Sequence, residues 1–371
     1  MAISFKNFEM IRKILLTVIC AFIITNLFAQ QKEPLECVVN MRKNAKAGVD
    51  LTLRQQRINE LGQIASLPYS MRIQVVVFYK SSPTVSNADI HRNLTNMTNF
   101  YRPQNICFIL SDIEYVRDST MADFHTSNEN LLLSYTRPSY LTIFIHTVLY
   151  DPIGTLNGMA YAIPNTYLSI VDDAVLSTTN ISTMAHEMGH CFGLYHTFET
   201  EFGSENRART GTCKNCETKG DYLCDTEADL NVAESLIGTN CVYNGTAISS
   251  CDNSSFVMET RNIMTYGRRA CRDRFTNGQG GRARDHILTE TILFNCIAPD
   301  VLTISATLNY TGGVYSLTAK ESITISSLAY NISGNAQMRM TSRSIRLGPG
   351  AAFRPTGPGA VVALKGNIYC E

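Results

Sequence analysis

His186-Glu187-Met188-Gly189-His190-Cys191-Phe192-Gly193-Leu194-Tyr195-His196 reads H-E-x-x-H-x-x-G-x-x-H. Histidines at i and i+4 stand on one face of a helix, so both imidazoles can reach one ion. Glu187 follows the first of them and can face a water on that ion. Gly193 lets the helix stop, because glycine enters left-handed backbone space at little steric cost. Beyond the turn His196 can supply a third nitrogen. Three protein ligands with one open position is the pattern of a catalytic zinc site rather than a closed structural one. The competing reading is a core helix with three incidental histidines. A bare H-E-x-x-H arises by chance in roughly one chain of this size in a hundred, and the added Gly and His make the whole roughly a thousandfold rarer.

The chain has 371 residues, with 32 Lys and Arg against 32 Asp and Glu, so nothing in its net charge points to a nucleic-acid partner. A hydrophobic fraction of 44% with 17% charge is that of a globular protein long enough for two domains. Twelve cysteines favour an oxidising compartment. Lys6, Arg12 and Lys13 precede an apolar run from Ile14 to Phe28, and Ala29 is a small residue where cleavage would follow. Residues 1–29 therefore read as a secretory signal peptide. As a membrane anchor the run is short, and Thr25 and Asn26 interrupt it. The expectation is an exported chain, secreted or at the cell surface, with no membrane span once residues 1–29 are gone. Cys20 leaves with that segment, so at least one of the remaining eleven cysteines is unpaired within the chain.

Residues 30–68 read as a leader or propeptide with one amphipathic piece, Leu53 to Leu67. Cys37 lies upstream of that piece. Its thiolate could plug the open metal position, or it could be a disulfide partner for a distant cysteine. Arg42, Lys43, Lys46, Arg54 and Arg57 offer basic cleavage positions. Arg72 to Tyr79 is a strand by β-branched content, Ser86 to Tyr101 a helix with Ile90, Leu94, Met97 and Tyr101 on one stripe, and Ile106 to Leu110 and Tyr140 to His146 further strands. That order predicts a mixed α/β sheet with a crossover helix. Gly158 to Pro164 reads as an edge strand able to pair with an extended peptide, and Leu168 to Val171 as its neighbour. His91, His125 and His146 have no partner at ligand spacing and read as structural or surface histidines.

Residues 197–260 show little periodicity. With Cys271 they bring six cysteines, Cys213, Cys216, Cys224, Cys241, Cys251 and Cys271, which allow 15 pairings. Cys370 has Cys296 or Cys37 as candidate partners. Asp221, Asp225, Thr226, Glu227 and Asp229 cluster in the same loop, and a calcium site and a solvated acidic loop both remain open readings. At Asn262-Ile263-Met264-Thr265-Tyr266 a tight turn would place Met264 as an apolar floor under the histidines. Tyr266 would present a phenol able to donate to an oxyanion. Arg282 to Cys296 reads as a closing helix.

From about Ile143 to Leu293 the chain resembles a metzincin metallopeptidase of the pappalysin (cytophagalysin) family, peptidase family M43. The likeness rests on HEMGHCFGLYHTF at 186–198, GDYLCDTEAD at 220–229, NIMTY at 262–266 and FTNGQ at 275–279. It implies an α+β fold over residues 69–298, with a mixed sheet, an active-site helix and a Met-turn subdomain. It further implies zinc on His186, His190 and His196, Glu187 as general base, Met264 in the turn and Tyr266 assisting. Asp221, Asp225 and Thr226 match the family's calcium loop, although Glu227 stands where the family often has Pro. The implied activity is that of a secreted zinc endopeptidase on protein or peptide substrates, with oligomeric state left open. A non-catalytic adhesin on a degenerate peptidase fold is the alternative, and it should have lost Glu187 or a histidine. Residues 299–371 read as a small all-β module. SIRLGPGAAFRPTGPGAVVAL at 344–364 resembles a repeat appended to many secreted bacterial proteins, and an ordinary β-sandwich appendage is the plainer reading.

Overall fold

The computed structural model describes residues 35–37, 50–62, 64–232, 234–305, 309–326, 329–367 and 370. The chain divides into compact units Met1–Leu35 and Glu36–Glu371, and the second carries the helices, the disulfides and nearly every strand. The expected signal peptide, Cys20, Arg42, Lys43, Lys46 and the side chain of Cys37 lie outside the described residues. Among the described residues no helix is long and apolar enough to cross a membrane.

The main sheet contains β1 (Leu35–Cys37), β2 (Tyr69–Tyr79), β3 (Ile106–Arg117), β4 (Asp123–His125), β5 (Leu141–His146), β6 (Val148–Asp151), β7 (Gly154–Ala160) and β8 (Tyr167–Val171). Its order is β3-β2-β5-β8-β7-β6-β4, and β1, whose last two residues open the second unit, pairs with β7. Strands β3, β2, β5 and β8 run parallel, whereas β7 is antiparallel to β8. The centre of β2 is buried on both faces, which is why it reads as an unbroken β-branched run rather than an alternation. Helix α1 (Leu51–Leu61) precedes the sheet, and α2 (Asn87–Tyr101) makes the β2–β3 crossover. Ser86 and Asp89 close a capping box on α2, and Ile90, Leu94, Met97 and Tyr101 form its buried stripe as expected. The strand expected at 158–164 lies earlier, at Gly154–Ala160, because Tyr161 onward turns away, and it is not the expected edge: β7 lies between β8 and β6 and also pairs with β1.

Helix α3 (Thr183–Cys191) is buried along its whole length, and α4 (Asn277–Thr289) closes the unit. The closing helix begins five residues before the expected Arg282 because Thr276 and Gln279 form a capping box. Helix α1, inside the expected leader, docks on this body. Arg54 pairs with Asp285 at 2.5 Å, the Arg57 guanidinium lies 4.2 Å from the Phe294 ring centroid, and Leu61 is buried. Between α3 and α4 regular structure is sparse, and three disulfides hold the chain: Cys213–Cys251, Cys216–Cys224 and Cys241–Cys271. Cys213 and Cys216 thus go to different partners and hold no second metal.

Residues beyond Val301 wind as a three-coil parallel β-solenoid, not a sandwich. Each coil gives one strand to each of three parallel sheets, β9-β12-β15, β10-β13-β16 and β11-β14-β17. The first contains Val301–Ile304, Ser322–Ile325 and Ser344–Leu347. The second contains Asn309–Tyr310, Ala329–Ser333 and Ala352–Thr356, and the third Val314–Thr318, Gln337–Ser342 and Val361–Gly366. Registers run straight through the coils: Ile323 faces Leu302 on one side and Ile345 on the other. Alternate residues point inward, so Ile323, Ile325, Ile332, Met338 and Met340 build one core.

The solenoid lies against the outer edge strand β3. Ser111 meets Thr318 hydroxyl to hydroxyl at 2.8 Å, and the buried Asp112 carboxylate pairs with Arg137 at 3.0 Å and with Arg339 of β14. Cys370 is bonded to Cys107 of β3, which corrects its expected pairing with Cys296 or Cys37. The last coil brings the chain end back to β3, while Cys296 is buried and unpaired beside Ile292. An edge strand with free backbone groups is an aggregation hazard, and the solenoid covers this one.

Candidate metal and catalytic site

Helix α3 carries His186, Glu187 and His190 on its buried length, and the chain turns through Gly193 at φ +84° to bring in His196. A side chain at 193 would be strained by that φ and would meet the His286 ring at 2.2 Å. The three Nε2 atoms converge, 3.2 Å between His186 and His196, 3.2 Å between His190 and His186, and 3.1 Å between His190 and His196. Nitrogens each about 2.0–2.1 Å from one tetrahedral zinc stand roughly 3.3 Å apart, so the triad fits such an ion. Among the described residues it is the one group of three His, Cys, Asp or Glu gathered at ligand distance.

The rings are held from behind. His186 Nδ1 donates to the Ile263 carbonyl at 2.7 Å and His190 Nδ1 to the Leu194 carbonyl at 2.8 Å. Each bond fixes the tautomer and leaves the Nε2 lone pair facing the centre. Burial lowers the pKa of His186 to about 3 and holds those of His190 and His196 well below the ordinary imidazole value. The neighbouring rings add to the effect on His190 and His196. All three are therefore neutral near neutral pH and able to act as ligands.

Met264 lies beneath α3, its sulfur against Gly189. The Tyr266 ring centroid lies 4.7 Å from that of His196 and 5.8 Å from that of His186. Glu187 is buried beside strand β7, its side chain against Gly158.

Three residues named in the sequence without this role support the site. Asp229 Oδ2 accepts from Thr197 Oγ1 at 2.7 Å and from Thr265 Oγ1 at 2.5 Å, clamping the residue after His196 to the residue after Met264. Asn262 and Gln279 form a buried carboxamide pair at 2.8 and 3.0 Å, and Asn262 Oδ1 also accepts from the Met264 amide at 2.8 Å. Only the pairing of NIMTY with FTNGQ hinted at this contact. Of the other histidines, His146 is a core residue, bonded to the Met121 carbonyl and the Ser169 hydroxyl.

The acidic loop separates into two parts. Asp221 Oδ1 accepts from the Leu223 amide at 2.9 Å and from Thr226 Oγ1 at 3.1 Å. Asp225 instead caps α4, accepting from Thr276 Oγ1 at 3.1 Å and the Gly278 amide at 2.6 Å. Glu205, not singled out in the sequence, approaches Asp221 and pairs with Arg209 at 2.9 Å. Burial, reinforced by the Asp221 charge, raises Glu205 to about 8, and burial raises Asp221 to about 7.

A three-histidine centre on an H-E-x-x-H helix with a methionine turn beneath it defines a metzincin-type metallopeptidase. Residues 134–288 match the model of peptidase family M43, described as pregnancy-associated plasma protein-A. The chain is 26% identical over 211 residues to an extracellular metalloprotease of Neurospora crassa, covering 53% of this chain and 66% of that protein. It is 24% identical over 241 residues to an extracellular metalloprotease of Pyricularia oryzae, covering 60% and 76%. Promirolysin of Tannerella forsythia, solved as a mutant, aligns with TM-score 0.46 at 20% identity over 70% of this chain and 95% of its own. Mature mirolysin in complex with a cleaved peptide aligns with TM-score 0.45 at 19% identity, over 63% and 100%.

Proposed function

We propose that this chain is a secreted zinc endopeptidase. The observation that carries the reading is the convergence of three neutral imidazoles on one point, those of His186 and His190 anchored to backbone carbonyls. A zinc ion on His186, His190 and His196 would supply Lewis-acid activation of water and of the scissile carbonyl. Glu187 takes the proton of the attacking water and passes it to the leaving amine. Tyr266 donates its phenol to the oxyanion that develops. The substrate lies extended along β7 in the place that β1 takes in this structure, exchanging β1's main-chain hydrogen bonds for its own. Secretion is supported by the N-terminal sequence and by the extracellular relatives.

The test is cleavage of denatured casein together with metal analysis. The protein should bind about one zinc, His190→Ala should lose it, and Glu187→Ala should keep it and lose turnover by several orders of magnitude. Unchanged zinc in His190→Ala, or near-normal turnover in Glu187→Ala, would remove those assignments.

Two finer readings belong to the same proposal. Calcium is assigned to Asp221 and Thr226, with Glu205 as a further ligand. Asp221 Oδ2 and Glu205 Oε2 are buried, and no donor among the described residues reaches them in hydrogen-bonding geometry. Asp225 serves the helix start instead. Cys37 is assigned as a latency ligand of the uncut form. Strand β1, which contains it, pairs with β7, and eight other cysteines are bonded among themselves. A disulfide map finding Cys37 quantitatively bonded would exclude that role.

A further inference from the structure

The contact between Glu187 and strand β7 is closer than a side chain on that strand permits. A Cβ built on Gly158 would stand 2.7 Å from Glu187 Cγ, 2.8 Å from Oε1 and 2.9 Å from Cδ. Ordinary van der Waals contact between such atoms is about 3.5–4.0 Å. The carboxylate therefore rests directly on the strand backbone, in a space that only glycine leaves.

Neither side can yield freely. Gly158 is paired with Ile170, and Met159 and Ala160 continue the ladder against Ser169 and Leu168. Glu187 sits in the middle of α3, whose nine residues are all buried, between two histidines whose rings are tied to carbonyls. With strand and helix both fixed, the carboxylate is the part left to move when a methyl group is added. Gly158 has φ outside the left-handed region, so an alanine there is compatible with the backbone and the clash is the whole effect.

We infer that Gly158 is a positioning residue for the general base: its missing side chain sets where the Glu187 carboxylate stands. The inference rests on the proposed role of Glu187. Displacing a reacting group by about 1 Å costs on the order of 10²-fold in rate. Gly158→Ala should therefore lower kcat by about that factor, with KM within about threefold and zinc content unchanged. A residue that served only to pair with substrate would raise KM instead.

A second measurement needs neither zinc nor turnover. In the metal-free protein Gly158→Ala should lower the Tm, and most of that drop should vanish in a Glu187→Ala background, where the atoms it meets are gone. Glu187→Asp, one methylene shorter, should recover part of it. An equal drop in all three backgrounds overturns the inference, as does a Gly158→Ala enzyme with normal kcat. Should Gly158→Ala not fold alone, folding of Gly158→Ala/Glu187→Ala still supports the clash, and failure of both overturns it. If Glu187→Ala itself retains activity, the proposed mechanism falls, while the stability cycle still reports the contact.

Discussion

Asp229 is the strongest test of how the site is held together. Its carboxylate is 9% exposed and accepts two hydroxyls, Thr197 and Thr265, which are themselves 1% and 2% exposed. Replacing Asp229 by Ala removes both bonds and leaves two buried donors without an acceptor. Hydrogen bonds to a charged group contribute about 1.5–3 kcal/mol each, so the pair is worth about 3–6 kcal/mol before relaxation. Water entering the vacated space favours the lower end, about 3 kcal/mol. Asp229→Asn keeps the shape and can still meet both hydroxyls through neutral bonds, so about 1 kcal/mol is expected. The clamp also fixes the backbone that carries His196, and loss of such outer support typically weakens metal binding 10- to 100-fold. Urea unfolding with the disulfides intact reads the first effect, and competition for zinc with a chromophoric chelator reads the second. If Asp229→Ala stays within about 0.5 kcal/mol of the parent, as an ordinary surface change would, and binds zinc as tightly, the clamp is not what holds the turn.

Glu205 at about 8 and Asp221 at about 7 lie above the range near 4 that carboxyls keep in an unfolded chain. The folded state then holds more protons than the unfolded between these values. Metal-free stability should fall as pH rises from about 4 to about 8 and level off above, and millimolar calcium should flatten the fall; a pH series of Tm with and without calcium reads both. A chain ending at Ala298 should still bind zinc, since every proposed ligand precedes residue 267. It loses the cover of β3 and the Arg339 partner of Asp112, so size-exclusion chromatography should show association and a lowered Tm. A chain beginning at Asp50 keeps the Arg54–Asp285 and Arg57–Phe294 contacts, whereas one beginning at Tyr69 loses them and should melt lower than it. N-terminal sequencing of processed protein should accordingly find a start before Asp50.

The convergence of the three histidines was legible because metal chemistry imposes a spacing on them: i, i+4 and a glycine turn admit few other sequences. Helix α2 was legible from its stripe and β2 from its β-branched run, both local signals. What stayed hidden depends on distant partners. Asp229 looks like one acid among five until folding brings Thr197 and Thr265 to it. Gly158 looks like any strand glycine until α3 lies across it. The three disulfides between α3 and α4 were one choice among 15, and the reach of Cys370 to β3 follows from the coiling of residues 301–366. That coiling was obscured because only three turns are present, and short alternating strands look alike in a sandwich and a solenoid.

The Cys107–Cys370 bridge gives the molecule a property that its folding pattern alone would not. It joins positions 263 residues apart and so encloses the active-site helix, the cysteine-rich loop and every coil of the solenoid in one covalent ring. A single peptide-bond cut anywhere inside that ring opens it without releasing either piece. An enzyme that clips its own kind in an oxidising medium would thus keep its solenoid attached after one cut. The damage would appear as two bands on a reducing gel and as one on a non-reducing gel.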